Sequence, residues 1–290
     1  MDWLPFVVGV VAFVLAPFIG MLILGLDRKI TARLQNRIGP PVLQPFYDVV
    51  KLFGKTELMV NRTQIIFALM FFATVAFSTL LLCLRADLLL IFLILSTGMV
   101  FFALGAYSVR SGFSFIGGNR EVYQMLAYEP VFLIAIFAMG YATGSFGVDA
   151  IFKLDRPLIM IVPLALASMV IVLMIKMQKS PFDISTAHTE VISGPMVEYS
   201  GKYLALIKIA HWYELSLLLG IMALFLIIPG NLILSAILIV IMIVVVYFVV
   251  MIIDNVTPRL TWKEMVVFSL VIGMTLVGIN IFYLALTGGA

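Results

Sequence analysis

Eight stretches of the chain are almost continuously apolar: roughly residues 4–26, 64–84, 88–109, 121–143, 158–178, 204–228, 232–253 and 265–286. A helix needs about 20 apolar residues to cross the hydrocarbon core of a bilayer, and each stretch is near or beyond that length. Only helices and closed barrels satisfy their backbone polar groups inside lipid, and runs this long are not barrel strands. Two connections between the runs stand out. In the first, 27–63, Leu43, Phe46, Tyr47, Val50 and Phe53 recur at helical spacing after Gly39-Pro40-Pro41, with Asp48, Lys51 and Lys55 mostly off that stripe. This predicts an amphipathic helix lying on the membrane surface, apolar face down, as a lipid anchor or a docking element. The second, 179–203, is an acidic loop. The expected fold is an all-α polytopic membrane protein with eight transmembrane helices, forming one membrane domain over 1–290 with a surface helix after the first span.

Composition agrees with that pattern. Hydrophobic residues make up 63% of the 290, charged residues 11%, and the mean hydropathy is +1.19, whereas soluble domains carry about 25% charged residues. The net charge of +3 is small, and where the charges fall says more. Of the 18 Lys and Arg, only Arg85, Lys153 and Arg156 lie on one side of the predicted bundle. Lys208 lies within a run, and the rest lie on the other side. The basic side is expected to be cytoplasmic, which puts both termini outside. Trp3 and Trp262, near run ends, are expected to be interfacial anchors. The single cysteine, Cys83, excludes a disulfide framework and a cysteine-ligated cluster. Neither His188 nor His211 has a metal-like partner spacing, so no metal site is expected. Membrane lipid is an expected partner and nucleic acid is not.

The polar chemistry is concentrated in three places. The stretch 180–201, SPFDISTAHTEVISGPMVEYSG, holds Asp183, Glu190 and Glu198 with His188, two prolines and two glycines. Carboxylates at a membrane edge are costly unless paired or hydrated, so the cluster is a candidate site; the alternative is a solvated connecting loop. In the fourth run Glu121, Met125, Tyr128 and Glu129 recur at helical intervals, and Pro130 removes a backbone hydrogen bond just beyond Glu129. A buried glutamate can hold and release a proton; alternatively it stays neutral and bridges two helices. In the sixth run Lys208, His211 and Glu214 follow at i, i+3 spacing. A basic, a titratable and an acidic group on one seam suit a proton relay, or else a static Lys–Glu pair that fixes helix register.

Three motifs carry a resemblance. The segments ARLQNRIGPPVLQPFYDVVKLFGKTE (32–57), GNREVYQMLAYEP (118–130) and SPFDISTAHTEVISGPMVEYSG (180–201) resemble the eight-helix membrane subunit of the complex I superfamily, which joins the redox arm to the membrane arm. Within it, the compact Arg37-Ile-Gly-Pro-Pro-Val-Leu-Gln-Pro run, Arg120-Glu121-Val122, Ala187-His188 and the His211 position are similar to the energy-converting, membrane-bound [NiFe]-hydrogenases of the Ech type. These departures from complex I argue against quinone binding. The resemblance implies that Glu129, Glu190 and Glu198, with Asp183, Glu121, Glu214, His211 and Lys208, serve proton translocation and coupling. It also implies that Arg33, Arg37, Asp48, Lys51, Arg120 and His188 face partner subunits. Helices two to six would be similar to half of an antiporter-like subunit with an interrupted helix at its centre. The chain would bind no cofactor of its own, and the [NiFe] centre and iron–sulfur clusters would sit in partners: the hydrogenase large and small subunits and iron–sulfur subunits, beside antiporter-like membrane subunits. The implied function is a non-catalytic subunit, in a prokaryotic plasma membrane, that couples ferredoxin-linked hydrogen turnover to proton or sodium translocation. A quinone- or methanophenazine-reducing complex and a stand-alone transporter are the other readings.

Overall fold

The computed structural model describes residues 3–58 and 61–287; the side chains of Trp3, Leu4, Pro5, His188 and Thr287 lie outside what is described. The chain folds as helices in sequence: α1 (Trp3–Leu34), α2 (Gln44–Phe53), α3 (Arg62–Cys83), α4 (Leu88–Tyr107), α5 (Gly112–Thr143), α6 (Val148–Ile151), α7 (Leu158–Ile161), α8 (Pro163–Lys176), α9 (His188–Val191), α10 (Gly201–Ala223), α11 (Leu232–Val256), α12 (Trp262–Phe268) and α13 (Met274–Thr287). Local chemistry sets several boundaries. Asn61 and Asp87 accept backbone N–H groups at the starts of α3 and α4, and Thr261 with Glu264 forms a reciprocal cap on α12, each satisfying donors a helix start leaves open.

Among the described residues, seven helices are long and apolar enough to cross a bilayer. The fifth apolar run departs from the expected single span. Pro163 has no N–H and disfavours helical backbone in the residue before it, and Val162 adopts φ −129°, ψ 60°. The run therefore divides into α7 and α8. At about 1.5 Å per residue, α8 alone covers about 21 Å of an about 30 Å core. The interruption lies one turn into the run rather than at its centre. The N–H of Ala165 just past it donates to Asn280 Oδ1 on α13 at 3.0 Å. Residues 112–120, which precede the fourth apolar run, are the opening turns of α5.

The most buried spanning helices are α5 and α10, with α1 and α11 at the periphery. The surface helix forms, and the side that packs on the protein is not the predicted stripe. Pro45, Val49 and Leu52 are its buried residues; Val49 and Leu52 pack with Met21, Ala205 and Trp212 of α1 and α10. The stripe Leu43, Phe46, Tyr47, Val50 and Phe53 is exposed. At 3.6 residues per turn the helix thus has three sides: one on the protein, one apolar and outward, one polar. In the outer layer α12 runs into a π-helical turn, Ser269–Gly273, before α13. There Ser269 Oγ donates to the carbonyl of Ala127 at 2.7 Å, one turn before Pro130.

Candidate functional site

The basic end of the bundle brings the polar groups of α5, α8, α10 and the 179–203 loop into one layer. At its heart is Glu214 of α10, 3% exposed. It pairs with Lys176 Nζ from the end of α8 and lies 3.0 Å from His211 Nδ1. The ammonium of Lys176 sits 4.3 Å from the Tyr128 ring centre, a cation–π contact. His211 packs edge-on to Phe71 and Phe102, so an ion network is enclosed by aromatic walls. The predicted i, i+3 contact between His211 and Glu214 exists, but Lys208 is not its third member. Lys208 instead lines a cavity together with Asp48, within electrostatic reach of it. Lys176 takes its place because α8 terminates beside α10.

Glu121 is 2% exposed and accepts from Gln178 Nε2 at 3.3 Å. The same amide donates to Ser185 Oγ at 2.9 Å, and its oxygen accepts from Thr186 Oγ1 at 2.9 Å. Gln178, held in left-handed backbone at φ 50°, therefore ties the loop to a buried acid. Glu129 lies two turns deeper on α5, beside Ser96 and within reach of the Lys176 charge. Its Oε1 has no hydrogen-bond partner among the described residues.

The other loop acids stand apart. Glu190 pairs with Arg120 at 2.5 Å, and Asp183 with Arg259 at 2.8 Å; both pairs line a surface basin of about 270 Å³. Glu198 is half-buried and has no ion pair among the described residues. Glu190 thus lies at the surface, where it pairs with Arg120, a residue expected to face a partner. The loop folds closely on α5. Gly194 has φ +52°, and a Cβ there would fall 1.9 Å from the Ser185 carbonyl oxygen; one on Gly117 would fall 2.5 Å from Gly194. At its far end Ser200 Oγ donates to the Leu58 carbonyl at 3.0 Å and Lys202 pairs with Glu57 at 2.5 Å, so the two long connections touch.

A cavity of about 280 Å³ opens between α1, α2, the end of α8 and α10, with Asp27, Asp48, Lys176, Lys208, His211 and Glu214 in its wall. Arg28 and Gln44 donate to Asp48 at 3.2 and 3.0 Å. Partial burial works against the Asp48 carboxylate, but these two hydrogen bonds win and hold it below its ordinary range. Next to the cavity, Lys179 Nζ bridges Asp27 at 2.7 Å and Asp254 at 3.2 Å. Burial disfavours its charge, yet the carboxylates outweigh this and raise the ammonium above its ordinary range. Sequence reading missed Asp27, Lys179 and Asp254 as a group, since nothing in their spacing joins three distant run ends. Arg33, Arg37 and Lys51 are exposed at this end, Arg37 donating to Gln35 Oε1.

Residues 7–285 match the family model described as NADH dehydrogenase. This chain belongs to that NADH dehydrogenase family. Hydrogenase-4 component C of Escherichia coli is 30% identical over 221 residues, which cover 68% of this chain and 69% of that protein. Formate hydrogenlyase subunit 4 of the same organism is 27% identical over 290 residues, covering 89% of this chain and 93% of that protein. Among solved structures, a chain of the membrane-bound sulfane sulfur reductase, an archaeal respiratory membrane complex, superposes with a TM-score of 0.81 at 26% identity, over 95% of this chain and 98% of that one. The family places this multi-pass chain among the membrane subunits of energy-converting complexes, and it works with partner subunits.

Proposed function

We propose that the chain anchors a hydrogenase module in a prokaryotic plasma membrane and passes the consequence of its redox turnover to ion-translocating neighbours. The basic end is cytoplasmic, both termini are outside, and the surface built from 27–58, 179–203 and the start of α5 docks partner subunits. Those partners, a [NiFe] large subunit and iron–sulfur subunits, hold the redox cofactors, and antiporter-like subunits flank the bundle in the membrane. One observation carries this reading. Gln178 hydrogen-bonds both the loop, at Ser185 and Thr186, and buried Glu121, which shares its layer with Lys176, His211 and Glu214. A charge change on a docked partner that shifts the loop shifts the hydrogen bonding of a buried acid, and so its proton affinity. Moving one charge against 100 mV costs about 2.3 kcal/mol, so a weakly exergonic redox step moves few ions.

The cavity favours a second reading. Its wall combines Leu24, Trp212, Leu215 and Leu218 with charged groups, a mixture that suits an amphipathic electron carrier such as a quinone. Gentle purification of the tagged complex separates the readings. Nickel, iron and hydrogen evolution in one particle support the hydrogenase. Iron without nickel, with quinone reduction blocked by quinone-site ligands, supports the alternative; sulfide production would assign the module to sulfur reduction. In the intact complex, Glu129→Gln is expected to uncouple ion pumping from turnover. Unchanged pumping per turnover would remove Glu129 from the path.

A further inference from the structure

The seam between α1 and α11 holds polar groups that the coupling layer does not use. Asp27 and Thr31 lie one turn apart on α1, hence on one face; Tyr247 and Asp254 lie seven residues apart on α11, again on one face. Gln35 Nε2 donates to Asn255 Oδ1 at 2.9 Å, which sets the register of the two helices: eight residues back from that contact stand Asp27 and Tyr247. Tyr247 is accordingly within electrostatic reach of Asp27. Both are almost fully buried, at 4% and 5% exposed.

Two observations show what this seam lacks. Asp27 Oδ1, Thr31 Oγ1 and Tyr247 Oη are all buried without a hydrogen-bond partner among the described residues. Buried polar groups are nearly always paired, so three orphans on facing surfaces call for an explanation. Charge is also unbalanced: Asp27 and Asp254 share the single ammonium of Lys179, while Arg28, the next cation, is engaged with Asp48. One negative charge in excess, beside a carboxylate oxygen and two hydroxyl oxygens, is the donor set of a hard cation. We propose that the α1–α11 seam binds a monovalent cation, sodium, through Asp27, Thr31 and Tyr247, with Lys179 as its built-in competitor. Sodium on Asp27 Oδ1 weakens that residue's hold on Lys179, which then pairs with Asp254 alone. Lys179 opens the 179–203 loop, so occupancy bears on the loop's anchorage. The proposal does not depend on the identity of the redox module.

The test is ²²Na⁺ binding to the full-length chain purified in detergent and kept in choline buffer, with cooperative thermal unfolding as the check on folding. Saturable binding is expected, weakened about tenfold or more by Asp27→Asn, Tyr247→Phe or Thr31→Val, each of which removes one donor oxygen or its charge. Asp149→Asn, at the opposite end of the bundle, is expected to leave binding unchanged. Lys179→Met removes the competitor and is expected to bind sodium more tightly, with sodium restoring its thermal stability where choline at equal ionic strength does not. A structural ion pair would not produce that rescue. Absence of saturable binding in the folded wild-type chain overturns the proposal. So does binding indifferent to both Tyr247→Phe and Asp27→Asn, or stability that follows pH identically in sodium and choline.

Discussion

Two acid–base constellations at the basic end of the bundle each pair a cation with a glutamate, and they differ in burial. In the layer below the loop, Lys176 and Glu214 are each 4% exposed. In the basin above it, Arg120 and Glu190 are 23% and 51% exposed. Removing one partner of a buried pair strands a desolvated charge, whereas an exposed pair exchanges its partner for water at little cost. The buried pair is therefore the part the fold depends on, and the basin is a surface whose pairs can open to a docking subunit. Gln178 joins the two regions.

The sharpest way to break the comparison is Lys176→Met. It keeps most of the side-chain length, removes the ammonium from the Tyr128 ring and leaves Glu214 with His211 alone, a loss of about 3–5 kcal/mol of stability. Chemical unfolding of the purified chain measures it; a loss below about 1 kcal/mol would mean that Glu214 is solvated or neutral and that the two regions do not differ. The joint is tested next. Gln178→Met keeps the length and removes the amide, leaving Glu121 with Ser185 alone, at a cost of about 1–3 kcal/mol. Ion pumping per turnover is expected to fall more than turnover itself; equal losses would make Gln178 a structural strut only. The basin should respond least. A double-mutant cycle of Arg120→Ala and Glu190→Gln is expected to give a coupling of about 0.2–1 kcal/mol, and a larger value would make the basin part of the folded core.

Much of this was legible in the chain itself. Apolar runs of helical length announced the spans, and the 43–53 stripe announced the surface helix, because periodicity and length are local properties. The stripe does not tell which side packs on the protein: Pro45, Val49 and Leu52 form a narrower apolar set that a neighbouring surface selects, and α10 is part of that surface. The His211–Glu214 contact was visible as i, i+3 spacing on one helix. Its cation was not, since Lys176 arrives from another helix and a sequence does not state which helices adjoin. The same holds for Lys179 between Asp27 and Asp254, three groups joined only by packing. Pro163 was in plain view, yet the break it causes competes with a run whose hydropathy alone reads as one span.

The smallest effect concerns the cavity wall and can be read at one tryptophan. Arg28 and Gln44 hold the Asp48 carboxyl below its ordinary range, so their stabilisation of the α1–α2 contact is present above the unfolded value of about 3.9 and is lost as pH falls through the lower folded value. Both partners are partly exposed, which limits the contribution to at most about 1 kcal/mol. Lys179 has the opposite sign. Its raised ammonium keeps its tether below the ordinary lysine range and loses it only as pH rises beyond about 10.4. Between pH 5 and 9, by these same signs, neither contact changes. Trp212 packs with Val49 and Leu52 of α2, so in a chain carrying Trp3→Phe and Trp262→Phe its emission reports the docking of α2. A red shift is expected only in acid, and Asp48→Asn should abolish that step while weakening docking above it. An identical acid step in the Asp48→Asn chain would place the titration elsewhere and leave α2 held by its apolar face alone.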